Sequence, residues 1–337
     1  TNYGTVFSLA ERVDKEAWSQ MMNNKTSSAI YIPTICVMLS AYNGENYINE
    51  QIDSILSQQN VNVLLYIRDD GSTDKTWEII SHFAHTYKNV RILKGENVGW
   101  EKSFLKLVDS APNADLYAFS DQDDAWLPDK LERAYQTIQN EKNSIVLYGS
   151  NVWVTDEKLN KKCTYCPEGV DVLNRPFIQR LDRCDMPGGL TYVFTPSVRR
   201  LLQRWPNNGA FGHDYICYML CTLFGRVIYD PTPTVLYRQH QNNQIGAPKG
   251  FGWWLKCKLH RLCSPENPDC SIFSENVLKL YPNELASVPD TEHLLKKISL
   301  YPKDINCKLY LLVLPQLKRK NALDTLFLKL RILWNKW

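Results

Sequence analysis

The 337-residue sequence has no long apolar run. None reaches the roughly 18 residues of a membrane-spanning helix; Leu309–Leu314 is among the longest, and it is far short. It has no excess of one charge: 39 Lys and Arg face 36 Asp and Glu, for a net +3. That is too near neutral for a nucleic-acid binder. It has no regular cysteine framework. Ten cysteines are scattered, and Cys163 and Cys166 form one C-x-x-C without a second pair at zinc-ribbon spacing. Such cysteines read as reduced thiols of a cytosolic protein. It lacks a G-x-x-x-x-G-K-[ST] loop, which excludes a P-loop nucleotidase. It also lacks a G-x-G-x-x-G after the first strand, which argues against a dinucleotide site. Neither internal repeats nor low-complexity tracts occur. What remains is 44% hydrophobic and 22% charged, ordinary globular composition with ample material for a core.

From residue 33 the hydrophobic pattern alternates between two periods. A short, nearly continuous apolar run predicts a strand buried on both faces at Thr34–Ser40, and further strands are predicted at Val61–Ile67, Val90–Leu93, Leu116–Ser120 and Ile145–Leu147. Helical spacing predicts helices at Tyr47–Gln58, Lys75–Tyr87, Trp100–Asp109 and Pro128–Gln139. Strand and helix in alternation with short connections make an α/β fold with a mostly parallel central sheet flanked by helices. Beyond it, Ser197–Arg204 and Asp214–Phe224 read as helices, and Val227–Tyr229 and Val235–Arg238 as strands. The stretch 155–190 is turn-rich and gives no clear pattern. The expected organisation is a lead-in at 1–32, a domain at 33–246 divided near 140, and a basic helical C-terminal extension at 247–337.

That extension is unlike the rest. Residues 291–337 carry a net +7, so the other 290 residues carry −4. Leu323, Leu326, Phe327, Leu330, Leu333 and Trp334 fall at spacings of three and four, one apolar stripe on a helix with Lys329, Arg331 and Lys336 around it. Phe251–Leu262 is a second basic, Trp-bearing stretch. Both patterns suit an anionic membrane surface, and equally a terminal helix packed on the domain with a solvated basic face. Periodicity does not separate the two.

In an open parallel sheet, ligands sit beyond the carboxyl ends of the strands. Four polar clusters fall at such ends: Ser40–Gly44, Arg68–Ser72, Glu96–Gly99 and Ser120–Asp124. Asp74 alone reads as a helix cap, and Asp124 as a cap or a ligand of a neighbouring amide. The cluster Asp121, Asp123, Asp124 is harder to explain so simply. Three carboxylates within four residues repel one another unless a cation is present. Hard oxygen donors in that pattern suit Mn²⁺ or Mg²⁺ shared with substrate phosphates.

The runs SAYNGENYINEQIDSILSQQ, RDDGSTDKT, ENVGWEKSF and FSDQDDAWLPDKL resemble the N-terminal half of family 2 glycosyltransferases. The likeness is dense over about 33–140 and sparse through MPGGLTYVF, GHDYICYML and YRQHQNNQIG. The DQDD form together with YRQHxNN is most similar to bacterial rhamnosyltransferase-type members that build cell-surface polysaccharide. The resemblance implies a GT-A type fold and an inverting, metal-dependent hexosyltransferase. The donor would be a UDP or dTDP sugar, dTDP-rhamnose or a UDP-hexose. The acceptor would be a glycan or lipid-linked hydroxyl, and the expected location is the cytoplasm or the inner face of the membrane.

Carried onto this sequence, the resemblance places Ser40, Tyr42 and Asp70 in the base pocket, with Asp69 beside it. Asp121 would touch the ribose, and Asp123 and His240 would hold the metal. Gly188 and Gly189 would let the backbone approach the substrates, and Asp214 would be the catalytic base. In Gly212-His213-Asp214 a histidine stands where the family more often has Glu. His240, beside Arg238, is expected to contact metal or phosphate, and Arg238 and Asp124 lie with the substrate-binding set. Trp100 and Trp126 read either as core or as sugar-stacking surfaces. Two other functions stand beside this one. A nucleotidyltransferase would carry a basic glycine-rich loop after the first strand, where SAYNGENY has no basic residue. A non-catalytic carbohydrate-binding scaffold would not need the set Asp69, Asp70, Asp121, Asp123 and Asp214.

Overall fold

The computed structural model describes residues 31–169, 173, 175–181, 186–240, 269–319 and 321–337. Residues 1–30 of the lead-in and the basic stretch Phe251–Leu262 lie outside the described residues. Strands β1 (Thr34–Ala41), β2 (Asn62–Asp69), β3 (Val90–Lys94) and β4 (Leu116–Ser120) pair in parallel in the order β3-β2-β1-β4. Helices α1 (Ile48–Leu56), α2 (Thr76–Thr86) and α3 (Trp100–Ser110) connect them. β1 and β4 are covered on both faces and almost wholly buried, which is why they read as continuous apolar runs.

After β4 come the two-residue β5 (Ala125–Trp126), α4 (Lys130–Ile138) and a long β6 (Val146–Thr155). Next are β7 (Lys161–Thr164), a helical turn α5 (Phe177–Arg180), a 3₁₀ turn at Gly189–Thr191 and β8 (Val193–Phe194). The sheet region closes with α6 (Pro196–Arg204), α7 (His213–Phe224) and β9 (Arg226–Arg238). The sheet is mixed here: β8 is antiparallel to β4 and β6, β9 is parallel to β6, and β5 and β7 add antiparallel edges. The two short strands expected at 227–229 and 235–238 are one strand. Its Asp230-Pro231-Thr232-Pro233 segment breaks the alternation, and shifts in register carry the pairing with β6 across the break.

The C-terminal helices α8 (Cys270–Leu280), α9 (Pro282–Leu285), α10 (Pro289–Leu300), α11 (Ile305–Val313) and α12 (Ala322–Leu333) share one hydrophobic core with α6, α7 and one face of the sheet. Phe273 stacks on Trp205 at 5.2 Å, and the Tyr281 hydroxyl donates to the Leu201 carbonyl at 2.8 Å. Trp337 is fully buried, and the Tyr301 hydroxyl bonds both its N–H and its carbonyl. α12 packs through Leu328, Arg331 and Ile332. Of the stripe read from the sequence, Leu323, Leu326, Leu333 and Trp334 are exposed, while Phe327 and Leu330 are half-buried. α11 adds a second exposed row, Ile305, Leu309 and Val313. The Lys308 Nζ donates to the Leu333 carbonyl, placing the start of α11 beside the end of α12.

Candidate active site

The loops after β1, β2 and β4 and the loop before α3 meet at the carboxyl ends of the parallel strands. Buried Arg68 donates to Asp70, to Ser103 Oγ at 2.9 Å and to the Glu96 carbonyl at 2.9 Å. Asp70 also accepts from the Val98 and Gly99 amides at 3.1 and 3.0 Å. Its carboxylate is therefore shared between Arg68 and the loop 96–99, and it is 2% exposed. Asp69 is fully buried and accepts from the Ser72 amide. Ser40 Oγ lies 2.6 Å from Ser103 Oγ. The Tyr42 ring is exposed, free to meet a flat partner. Gly71 adopts φ +81, and a Cβ there would stand 2.8 Å from the Asn97 amide nitrogen, so the β2 and β3 loops touch at backbone distance.

Gln122 is a residue that sequence reasoning left without a role. Its carboxamide bonds both sides of the Tyr42 backbone: the Tyr42 amide donates to Oε1 at 2.8 Å, and Nε2 donates to the Tyr42 carbonyl at 2.9 Å. A carboxamide mimics a strand partner, so it ties the acidic turn to the loop after β1. The signal was present as the neutral residue inside DQDD, but its partner is 80 positions away.

Asp123 Oδ2 lies 2.9 Å from His240 Nε2, and the His240 ring stacks on Tyr47 at 4.7 Å. Arg238 and Asp124 face inward. Arg238 is 3% exposed, and its guanidinium donates to the Asp123, Glu157 and Glu50 oxygens from Nε, Nη1 and Nη2. Its backbone amide donates to Asp124 Oδ1 at 3.0 Å. In this structure Arg238 clamps the acidic turn to the end of β9 rather than reaching into the cleft. Asp124, fully buried, holds a backbone amide, one of the two structural roles its position allowed. Trp126 is buried beneath the Lys130 ammonium, 4.5 Å from the ring centroid. Lys130 Nζ donates to the Thr191 carbonyl at 3.0 Å and so holds the Gly189–Thr191 turn; withdrawal from water lowers its pKa to about 7.

Asp214 sits in the first turn of α7, one residue past the start, and the N-cap is Gly212. Its Oδ1 accepts from the Tyr215 amide at 2.8 Å. Three glycines surround it. A Cβ on Gly212 would lie 2.8 Å from Oδ1, one on Gly188 (φ +71) 3.2 Å from Oδ2, and one on Gly189 3.1 Å from Asp214 Cβ. Any side chain there would fill the space around the carboxylate. Neighbouring His213 is 3% exposed, and neither ring nitrogen has a hydrogen-bond partner among the described residues. It stacks on Phe104 at 3.8 Å, and burial drops its pKa to about 4. It is a neutral aromatic peg under Asp214, not an acid partner of it.

The distant acidic groups converge. Withdrawal from water pushes the Asp121 carboxyl up to about 7, and the charges of Asp123 and Asp214 add to the shift. Such mutual repulsion marks a site short of positive charge. Among the described residues no three His, Cys, Asp or Glu side chains stand close enough to cage an ion by themselves. Mg²⁺ and Mn²⁺ are commonly held by one or two carboxylates with substrate phosphates completing the shell, and an Asp–His donor set fits that partial shell.

Comparison with known proteins gives the family. The family model for "Glycosyl transferase family 2" matches residues 36–201. The chain is 32% identical over 241 residues to a dTDP-rhamnosyl transferase, RfbG, of Shigella flexneri, covering 66% of this chain and 78% of that protein. The chain belongs to glycosyl transferase family 2. It is also 32% identical over 116 residues to glycosyltransferase GlyG of Streptococcus pneumoniae, 34% of this chain and 38% of that protein. As a glycosyltransferase of this family it has the GT-A type fold. The structure of S. aureus TarS 1–349 in complex with UDP-GlcNAc superposes with a TM-score of 0.51 at 15% identity, covering 82% of this chain and 83% of that one. The matched region holds every acidic loop described above except Asp214 and the end of β9, which lie C-terminal to it.

Proposed function

We propose that this glycosyltransferase moves a sugar, with inversion, from a UDP or dTDP sugar to a hydroxyl of a glycan or lipid-linked acceptor in cell-surface polysaccharide synthesis. The observation that carries the reading is the approach of Asp214 to Asp121, 93 positions away in sequence, on which the charge of Asp123 also acts. Inversion is one displacement: the acceptor oxygen bonds to the anomeric carbon as the bond to the diphosphate breaks. The hydroxyl proton passes to Asp214, and the bonding pair leaves with the diphosphate. Asp123 and His240, with Asp121 beside them, would hold Mn²⁺ or Mg²⁺. When bound, that ion supplies charge neutralisation for the leaving diphosphate. Ser40, Tyr42 and the loop fastened by Asp69 and Asp70 form the wall for the base. The exposed Tyr42 ring offers it a stacking face, and Asp70 the acceptor for an imide N–H.

A panel of nucleotide sugars tests the reading. A UDP or dTDP sugar should be consumed in a metal-dependent way, with the product's anomeric configuration opposite to the donor's by NMR. Tighter binding of GDP than of UDP and dTDP would contradict the Asp70 assignment, because a purine presents the wrong edge to that carboxylate. Consumption of no nucleotide sugar would sink the whole reading.

The helical end gives a place for a lipid-linked acceptor. The exposed rows Ile305, Leu309, Val313 and Leu323, Leu326, Leu333, Trp334 lie on paired helices of a basic segment, a combination that suits an anionic bilayer. Removing residues 321–337 is a poor test, since it takes away the buried Trp337. Point changes on the outer side avoid that. Leu309→Asp with Leu326→Asp should abolish flotation with anionic liposomes at low salt and leave the thermal midpoint within a few degrees. If the native chain stays in solution with those liposomes, the apolar rows do not serve a membrane.

A further inference from the structure

Trp126 and Trp100 have opposite fates: the first is core, and the second is 37% exposed at the mouth of the site. A single exposed aromatic is ordinary on any surface. This one is set apart by where it points. The Cβ position of Gly212 lies 2.9 Å from Trp100 Cη2 and 2.8 Å from Asp214 Oδ1, so the indole edge and the carboxylate flank one point. The indole is also fixed from behind. It meets His213 edge to face at 5.7 Å, and His213 leans on Phe104 and Phe119 at 3.8 and 4.5 Å. The backbone ahead of it is held at Gly99 (φ +85), whose amide donates to Asp70. Alongside, the Asn207 side chain donates to the Lys102 carbonyl at 3.2 Å, tying the 207–212 loop to α3.

We propose that Trp100 is the floor of the acceptor subsite and that the acceptor is a saccharide, laid with its C–H face on the indole. A pyranose has an apolar face of axial hydrogens and a polar rim of hydroxyls. A rigid aromatic wall beside a single carboxylate matches both at once, stacking the face and taking the proton of a rim hydroxyl. Gly212 is glycine because a side chain there would separate the wall from the base. The assignment rests on Asp214 as the base of the proposed transfer.

The probes are methyl α-L-rhamnopyranoside and methyl β-D-glucopyranoside, each with UDP and Mg²⁺, followed by saturation-transfer NMR on the full chain. Saturation should concentrate on the C–H protons of one sugar face. Trp100→Ala should weaken saccharide binding by about tenfold or more, and Trp100→Phe should keep most of it. With the donor that the native enzyme consumes, Trp100→Ala should raise the acceptor KM by a similar factor and leave the donor KM unchanged. Native-like saccharide binding by the Ala variant would overturn the proposal. So would a loss that falls on the donor KM, or native protein that shows no saturation on either sugar. Failure of the native chain to consume any nucleotide sugar refutes the transfer itself, a separate readout from the saccharide NMR.

Discussion

Asp214→Asn should lower sugar transfer by about 10²–10⁴-fold, the usual worth of a positioned general base, with UDP or dTDP affinity nearly unchanged. Asn keeps the volume of Asp and an oxygen to accept from the Tyr215 amide, so the first turn of α7 keeps its local bond. What it loses is the ability to take a proton. The structure sharpens the contrast with an innocent role, because the cap of α7 is Gly212 and not Asp214. A cap lost would appear as instability of about 1 kcal/mol with activity retained. Single-turnover transfer and calorimetric nucleotide binding, measured on one preparation, separate the two. Native turnover by the Asn variant would leave Asp214 without a chemical role. Gly188 and Gly189 extend the same logic: a side chain at either would press on Asp214, so Ala there should reduce transfer more than nucleotide binding.

Asp123→Ala should abolish detectable transfer, and chelation of the native enzyme with EDTA should do the same. A diphosphate that leaves without compensating positive charge faces a barrier higher by several kcal/mol, about 10³-fold or more in rate. The variant also frees His240 from its 2.9 Å contact and removes one of the charges that raise Asp121. Mn²⁺ should therefore no longer raise the thermal midpoint in the presence of UDP, a readout independent of turnover. Transfer at the native rate in EDTA, or by the Ala variant, would remove Asp123 from the metal site.

The chain from 33 to 140 could be read closely because most of its elements are long relative to their period; the exceptions are the two-residue β5, which was missed, and β3, which is mostly exposed. Strands covered on both faces show unbroken apolar runs, and amphipathic helices between them show one stripe each. The turn-rich stretch 155–190 resisted for the opposite reason: its elements β7 and α5 are four residues each, and the strands beyond it gave little more. β8 is two residues long and exists only because Tyr117, Ala118, Leu147 and Tyr148 lie alongside it. β9 was split by its prolines, although pairing with β6 carries it through. The site shows the same division. The acidic turns were visible as clusters at strand ends. The inward commitment of Arg238 and Asp124 was not, since both bonds join segments more than 100 positions apart.

By itself the sequence determined the parallel half of the sheet, the acidic loops at its carboxyl edge, the family and the basic, striped C-terminal end. These are properties of short windows, where period and residue type carry the information. Tertiary structure decided which of those groups meet. Pairing of β5 with β9 brings His240 to Asp123, and the packing of α7 against α3 brings Asp214 beside Trp100. It also decided facing. Periodicity marks a stripe but does not say whether that stripe turns inward, and on α12 Leu328 and Ile332 fill the core while Leu323, Leu326 and Trp334 face out. The reason is that burial is a property of the whole packing: which apolar row is covered depends on the neighbours that the rest of the chain supplies.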